Sequence, residues 1–156
     1  MDALVARLFE KLKDKGCMIA TAESCTGGLI AAHITEIAGS SAYFDRGFVT
    51  YSNDAKTRQL GVPAALIEAH GAVSAEVAEA MAQGALEHSE ADIAIAVTGI
   101  AGPTGGTPQK PVGLVYIGIA TWDGAKAHEH HYTGGRTSIR QQTVTHALEY
   151  AIKALS

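Results

Sequence analysis

Apolar residues recur at helical spacing from Asp2 to about Lys15, where Leu4, Val5, Leu8, Phe9 and Leu12 form one stripe. Lys11, Lys13 and Lys15 gather where cations suit a helix carboxyl end, and Gly16 predicts the stop. The period then changes. Cys17 to Ala22 is a short apolar run bounded by turn residues, which predicts a strand leading directly into Glu23-Ser24-Cys25-Thr26-Gly27-Gly28. A helix is predicted from about Thr26 to Ile37, with Leu29, Ile30, His33, Ile34 and Ile37 inward and Gly39 at its end. Gly39-Ser40-Ser41 reads as a loop.

Gly47 to Tyr51 has the β-branched and aromatic content of a second strand, after which Ser52 or Asn53 caps a short helix carrying Asp54, Lys56 and Arg58. Pro63 opens another short helix ending at Gly71, and Ser74-Ala75-Glu76-Val77 opens a long Ala-rich helix reaching about His88. Asp92 to Thr98 is the clearest buried strand. It feeds a Gly-rich loop through Pro108 that is too long for a mere connection. Val112–Thr121 and Lys126–Tyr132 predict a hairpin turned at Asp123-Gly124, and a final helix spans about Thr137 to Leu155. Strands that first alternate with helices and then close with a hairpin predict an α/β fold: a three-layer α/β/α sandwich with a mixed sheet of about five strands.

Composition narrows the function classes. With 156 residues, 47% of them apolar and 18% charged, the chain is expected to be one globular domain, residues 1–156. A net charge of −4, spread along the sequence, leaves no electrostatic footprint for nucleic acid or an anionic membrane surface. Neither a secretory signal nor a membrane-length apolar run is seen, so a cytoplasmic location is expected. Cys17 and Cys25 match no zinc or redox spacing and are read as free thiols.

The familiar phosphate-binding patterns are missing: there is no GxxxxGK[ST], and no GxGxxG follows a strand. Glu23 to Gly28 instead puts a hydroxyl at a strand-to-helix turn. Unpaired backbone N–H groups there can hold a phosphate or a developing oxyanion, or Ser24 or Thr26 simply caps the helix. A serine nucleophile needs a base, and none of the seven histidines falls at a loop resembling a site. His128 and His130 share one strand face, but without a third ligand they read as solvated strand residues. Lys56, following Tyr51-Ser52-Asn53 at a strand end, is either a surface charge or a base, and Ser52 is either a cap or a competing nucleophile. The Thr98–Pro108 loop with Lys110 suits a ribose or phosphate, or is a structural turn. Arg136 and Arg140 either pair on an anion or are solvated.

Glu23-Ser24-Cys25-Thr26-Gly27-Gly28, Tyr51 to Lys56, Gly71-Ala72-Val73-Ser74, and Thr98 to Pro103 with Lys110-Pro111-Val112-Gly113 closely resemble the CinA C-terminal domain family, over nearly the whole chain. The resemblance implies a metal-free serine amidohydrolase with a Ser/Lys dyad. Its reaction would convert nicotinamide mononucleotide and water to nicotinate mononucleotide and ammonia, in pyridine-nucleotide salvage. It points to Ser24 as nucleophile, Lys56 as general base and Tyr51 as a proton-handling or orienting group, with Ser41 a rival nucleophile. Family members often carry this domain behind a larger amino-terminal domain, which is not expected here. The expected substrate-binding residues are Glu23, Thr26, Gly27, Gly28, Ser41, Asn53, Thr98, Gly99, Gly102, Lys110 and Arg140. No cofactor or metal is expected, and the expected partners are a small nucleotide substrate and further copies of the chain. The competing readings are a nucleotide-binding module without turnover and an oligomerisation domain.

Overall fold

A computed structural model describes residues 1–156. Helix α1 (Asp2–Lys15) buries Val5, Leu8 and Leu12 and ends where Gly16, at φ 63°, donates its N–H to the Lys13 carbonyl and lets the Cys17 N–H reach the Leu12 carbonyl. Strand β1 (Ile19–Glu23) is buried at every position. Helix α2 (Leu29–Thr35) begins three residues later than the sequence suggests, because Gly27 and Gly28 adopt φ values of +57° and +107° that an α-helix excludes. The residues between Glu23 and Leu29 therefore form a free-standing turn. Strand β2 (Phe44–Val49) also departs from expectation, starting and ending earlier than Gly47–Tyr51. Its register is set by parallel pairing from Ile19↔Phe44 to Glu23↔Val49, so Tyr51 is released beyond the sheet.

Helix α3 (Asn53–Leu60) is capped by Ser52, whose Oγ accepts the Ala55 N–H at 3.0 Å. After α4 (Ala64–His70), Ser74 caps α5 (Ala75–Glu87) in the same way through Val77. Strand β3 (Ile93–Gly99) is followed by the glycine-rich loop, the hairpin β4 (Leu114–Thr121) and β5 (Gly124–His131), and α6 (Arg136–Ala154).

The sheet order is β2-β1-β3-β4-β5, with β2, β1 and β3 parallel and β4 and β5 antiparallel. Helices cover both faces, giving the three-layer α/β/α sandwich with a mixed sheet. The two faces differ in residue size. Ile19, Ile93, Ile95, Val97, Ile117 and Ile119 fill the side against α1 and α6. On the other side Ala20, Ala22, Ala94, Ala96 and Ala120 let α5 approach closely, and a Cβ on Gly118 would lie 2.5 Å from the Ala78 carbonyl oxygen. The chain leaves β1 for β2 across one face and returns to β3 across the other. Sheets of this kind carry their ligand crevice at the carboxyl ends of the strands beside such a reversal.

Candidate active site

Ser24 stands at that place, one residue beyond the end of β1, with its N–H donated to the Val97 carbonyl of β3 at 3.1 Å. By the alternation of β1, its side chain follows Ala20 and Ala22 onto the α5 side. Lys56 reaches it from α3: Nζ donates to Ser24 Oγ at 3.2 Å and to the Tyr51 carbonyl at 3.3 Å. Lys56 is only 1% exposed, has no carboxylate within 4 Å, and its pKa is lowered from the ordinary lysine value by burial, with Cys25 opposing weakly. A lysine in that state is poised to accept a proton. Cys25, next to Ser24, is pushed up to about 11 by burial and stays a thiol rather than a competing nucleophile.

The Ser24–Gly28 turn supplies donors. Gly27 N–H closes it onto the Ser24 carbonyl at 3.1 Å, while the N–H groups of Cys25, Thr26 and Gly28 have no protein acceptor. Ser24, Lys56, Tyr51, Asn53, Thr98, Gly99 and Gly102 border one cavity of about 270 Å³. Thr98 Oγ1 donates to the Ala72 carbonyl at 2.8 Å, fixing that wall. Tyr51 is 61% exposed, so its ring lies at the mouth while its carbonyl steadies Lys56.

Several expected substrate contacts lie elsewhere. Glu23 faces the α2 side, where its buried carboxylate accepts from Thr26 Oγ1 at 2.7 Å, Ile30 N–H at 2.8 Å and Ala31 N–H at 3.1 Å, capping α2. Thr26, Gly27 and Gly28 shape the turn but do not border the cavity. Lys110 donates from Nζ to the His70 carbonyl, stitching the glycine-rich loop to the end of α4. Arg140 binds the carbonyls of Cys25 and Thr26 from behind the turn. Ser41 precedes β2 whereas Ser24 follows β1; in parallel strands those are opposite ends, about 16 Å apart at roughly 3.3 Å per residue. Ser52 caps α3.

The residue to add is Arg136, which borders the cavity and donates to the Gly102 carbonyl at 2.8 Å and to Tyr51 Oη at 3.2 Å. Its signal in the sequence was its position after Gly134-Gly135, shared equally with Arg140. No histidine lines the cavity. His128 stacks on Tyr150 with ring centres 3.8 Å apart, and His130 Nε2 lies 2.7 Å from Tyr150 Oη, in a packed ladder between β5 and α6. No group of three or more His, Cys, Asp or Glu side chains is placed to hold a metal ion, and no helix is long and apolar enough to cross a membrane.

Comparison with known proteins agrees with this architecture. The family model described as CinA C-terminal domain matches residues 1–155. A CinA-like protein of Geobacter sulfurreducens is 53% identical over 155 residues, covering 99% of this chain and 37% of the relative. The chain thus spans little more than a third of the curated relatives it matches. The crystal structure of competence/damage inducible protein CihA from Agrobacterium tumefaciens superposes with a TM-score of 0.95 at 52% identity, covering 99% of this chain and 94% of that one. A CinA superfamily protein from Klebsiella pneumoniae gives a TM-score of 0.95 at 35% identity, covering 99% and 96%.

Proposed function

The chain belongs to the CinA C-terminal domain family, and we propose that it is a nicotinamide-nucleotide amidohydrolase, converting nicotinamide mononucleotide and water to nicotinate mononucleotide and ammonia. The observation that carries this reading is the buried 3.2 Å contact between Lys56 Nζ and Ser24 Oγ at the carboxyl ends of the parallel strands. An amide carbon is a poor electrophile. Its hydrolysis needs an activated nucleophile, a site for the oxyanion and a proton for the departing amine.

Neutral Lys56 takes the proton from Ser24 Oγ as that oxygen bonds to the carboxamide carbon. The negative charge moves onto the carbonyl oxygen, toward the free N–H of Cys25, which borders the cavity. The Lys56 ammonium then protonates the nitrogen, the C–N bond breaks, and ammonia leaves a Ser24 ester. Water, giving one proton to Lys56, attacks that ester; the Lys56 ammonium returns that proton to Ser24 Oγ as the ester C–O bond breaks, and the acid departs and ionises to the carboxylate. A cavity of about 270 Å³ lies at the small end of ligand sites, which suits the carboxamide ring inside and the phosphate at the mouth beside Arg136. The decisive measurement is ammonia release from nicotinamide mononucleotide, with nicotinate mononucleotide identified by chromatography. Turnover by the parent and none by Ser24→Ala is expected, and a parent that binds the nucleotide without releasing ammonia refutes the reading.

A further inference from the structure

We propose that Thr50 is a positioning residue for the base: its buried hydroxyl accepts the spare N–H of the ammonium that Lys56 becomes on taking the Ser24 proton. The proposal rests on the reading of Ser24 and Lys56 as the dyad. Thr50 is fully buried, and its Oγ1 has no hydrogen-bond partner. A hydroxyl buried unpaired is costly, so one lying directly behind a reacting pair calls for a partner. The sheet sets its place. Val49 lies opposite Glu23, and the Thr50 N–H continues that ladder onto the Glu23 carbonyl at 3.0 Å, so Thr50 stands opposite Ser24. By alternation from Phe48, which packs with Ala20 and Ala22, its side chain takes the same face of the sheet as Ser24. Lys56 Nζ bonds to the neighbours on either side of it: Ser24 Oγ, across the ladder, at 3.2 Å, and the Tyr51 carbonyl, next in the chain, at 3.3 Å.

The donors and acceptors then match. An ammonium carries three N–H groups. One faces Ser24 and the leaving nitrogen, one meets the Tyr51 carbonyl, and the last has no acceptor while Thr50 Oγ1 has no donor. Rotation about Thr50 χ1 swaps its methyl and hydroxyl without moving the backbone, so the bond is open to the side chain when the charge appears. No other group competes for that N–H as an anion. Cys25, Tyr51 and Arg136 are the titratable side chains that share the cavity with Lys56, and none is a carboxylate. On α3 itself Asp54 pairs with Arg58 in solvent, Glu23 turns its carboxylate to the α2 side, and the buried face of α5 is apolar. Thr50 does not border the cavity, which separates this role from a substrate contact.

The test follows labelling of Ser24 by a fluorophosphonate against pH; the phosphorus accepts Ser24 Oγ as fluoride leaves, and the Ser24 proton passes to Lys56. The rate should climb as Lys56 loses its own proton, and the midpoint of that climb reads its proton affinity. Removing an acceptor of the charged form lowers that affinity. In Thr50→Val the midpoint should therefore fall by about one to two pH units, the scale of a hydrogen bond to a charged group, and the plateau rate should drop about 10-fold because a weaker base takes the proton. Thr50→Ser, which keeps the hydroxyl, should restore both. A folded Thr50→Val with the parent's midpoint overturns the proposal, as does a Thr50→Ser that behaves like Thr50→Val. If near-ultraviolet circular dichroism shows Thr50→Val to be unfolded, Thr50→Ala carries the test, and a parent midpoint there refutes it. A parent that labels at Ser24 with a midpoint but releases no ammonia removes the substrate reading and leaves Thr50 in place; a parent that takes no label, or labels without a midpoint, removes the dyad and Thr50 with it.

Discussion

Lys56→Met asks whether the lysine is held against its preference for charge. The ammonium sits 1% exposed with two neutral acceptors, Ser24 Oγ at 3.2 Å and the Tyr51 carbonyl at 3.3 Å, and no counter-ion within 4 Å. Burial lowers its pKa below the unfolded value, so at neutral pH the folded protein carries a cost that the unfolded chain escapes. Each tenfold loss of proton affinity on folding amounts to about 1.4 kcal/mol. The sign follows from proton counts. Between the lowered folded value and the ordinary one the unfolded chain binds more protons, so parent stability rises with pH through that window and falls to its full penalty below it. Methionine keeps the length of the stem and drops the charge. Lys56→Met should therefore be more stable than the parent at neutral pH, by about 2–4 °C in Tm for each kcal/mol relieved, and the gain should shrink as pH rises toward about 10.5. Thermal unfolding of both proteins across that range, read as a difference, cancels the titrations they share. Ammonia release should be lost at every pH. A pH-independent destabilisation would mean that the ammonium is not penalised, and the case for Lys56 as a base at neutral pH would fail with it.

Ser24→Ala should leave nucleotide binding nearly intact and lower kcat by several orders of magnitude, whereas Ser41→Ala, at the opposite end of the sheet, should match the parent; the reverse result moves the nucleophile. Glu23→Ala should cost about 3 kcal/mol in urea unfolding by orphaning the Thr26, Ile30 and Ala31 donors, while a change in KM without loss of stability would make Glu23 a substrate contact instead. Arg136→Ala should weaken the nucleotide by about 1.5–3 kcal/mol with little effect on nicotinamide riboside, and Lys110→Ala should affect neither; calorimetric titration showing the opposite pattern would put the phosphate on the glycine-rich loop.

The fold was legible wherever local signals and tertiary demands coincide. Helix α1, capped α3 and α5, β3 and the closing hairpin all declare themselves by period and punctuation. The errors fall where a partner overrides composition. Phe44-Asp45-Arg46 belongs to β2 because β1 offers parallel pairing from Ile19 onward, although Asp45 and Arg46 are poor strand formers and instead pair with each other at 2.6 Å. Thr50 and Tyr51 have strand-forming side chains, but β1 ends at Glu23 beside Val49, so pairing stops once the Thr50 N–H has met the Glu23 carbonyl at 3.0 Å. Thr26 looked like the first helical residue because a hydroxyl before an apolar stripe is the usual start. The cap comes instead from Glu23, seven residues before the Ile30 N–H that it accepts.

The site divides along the same line. Ser24 and Lys56 were readable because each follows a strand end, and the Ser52 cap fixes where α3 starts and hence where Lys56 points. The two arginines were not separable by sequence: four residues apart on α6, they look equivalent. Their difference comes from what the first turns of α6 meet. Arg136 reaches the mouth and ties Gly102 to Tyr51, whereas Arg140, one turn deeper, reaches the carbonyls of the turn after Ser24. Glu23 and Arg140 then hold that turn from two directions, the carboxylate drawing in the N–H groups of α2 and the guanidinium drawing back the carbonyls of Cys25 and Thr26. The N–H groups of Cys25, Thr26 and Gly28 remain without an acceptor, and of these residues only Cys25 borders the cavity. Charged residues that a sequence reader assigns to a ligand are therefore spent here on the backbone of one turn, where burial makes an unpaired N–H or carbonyl costly.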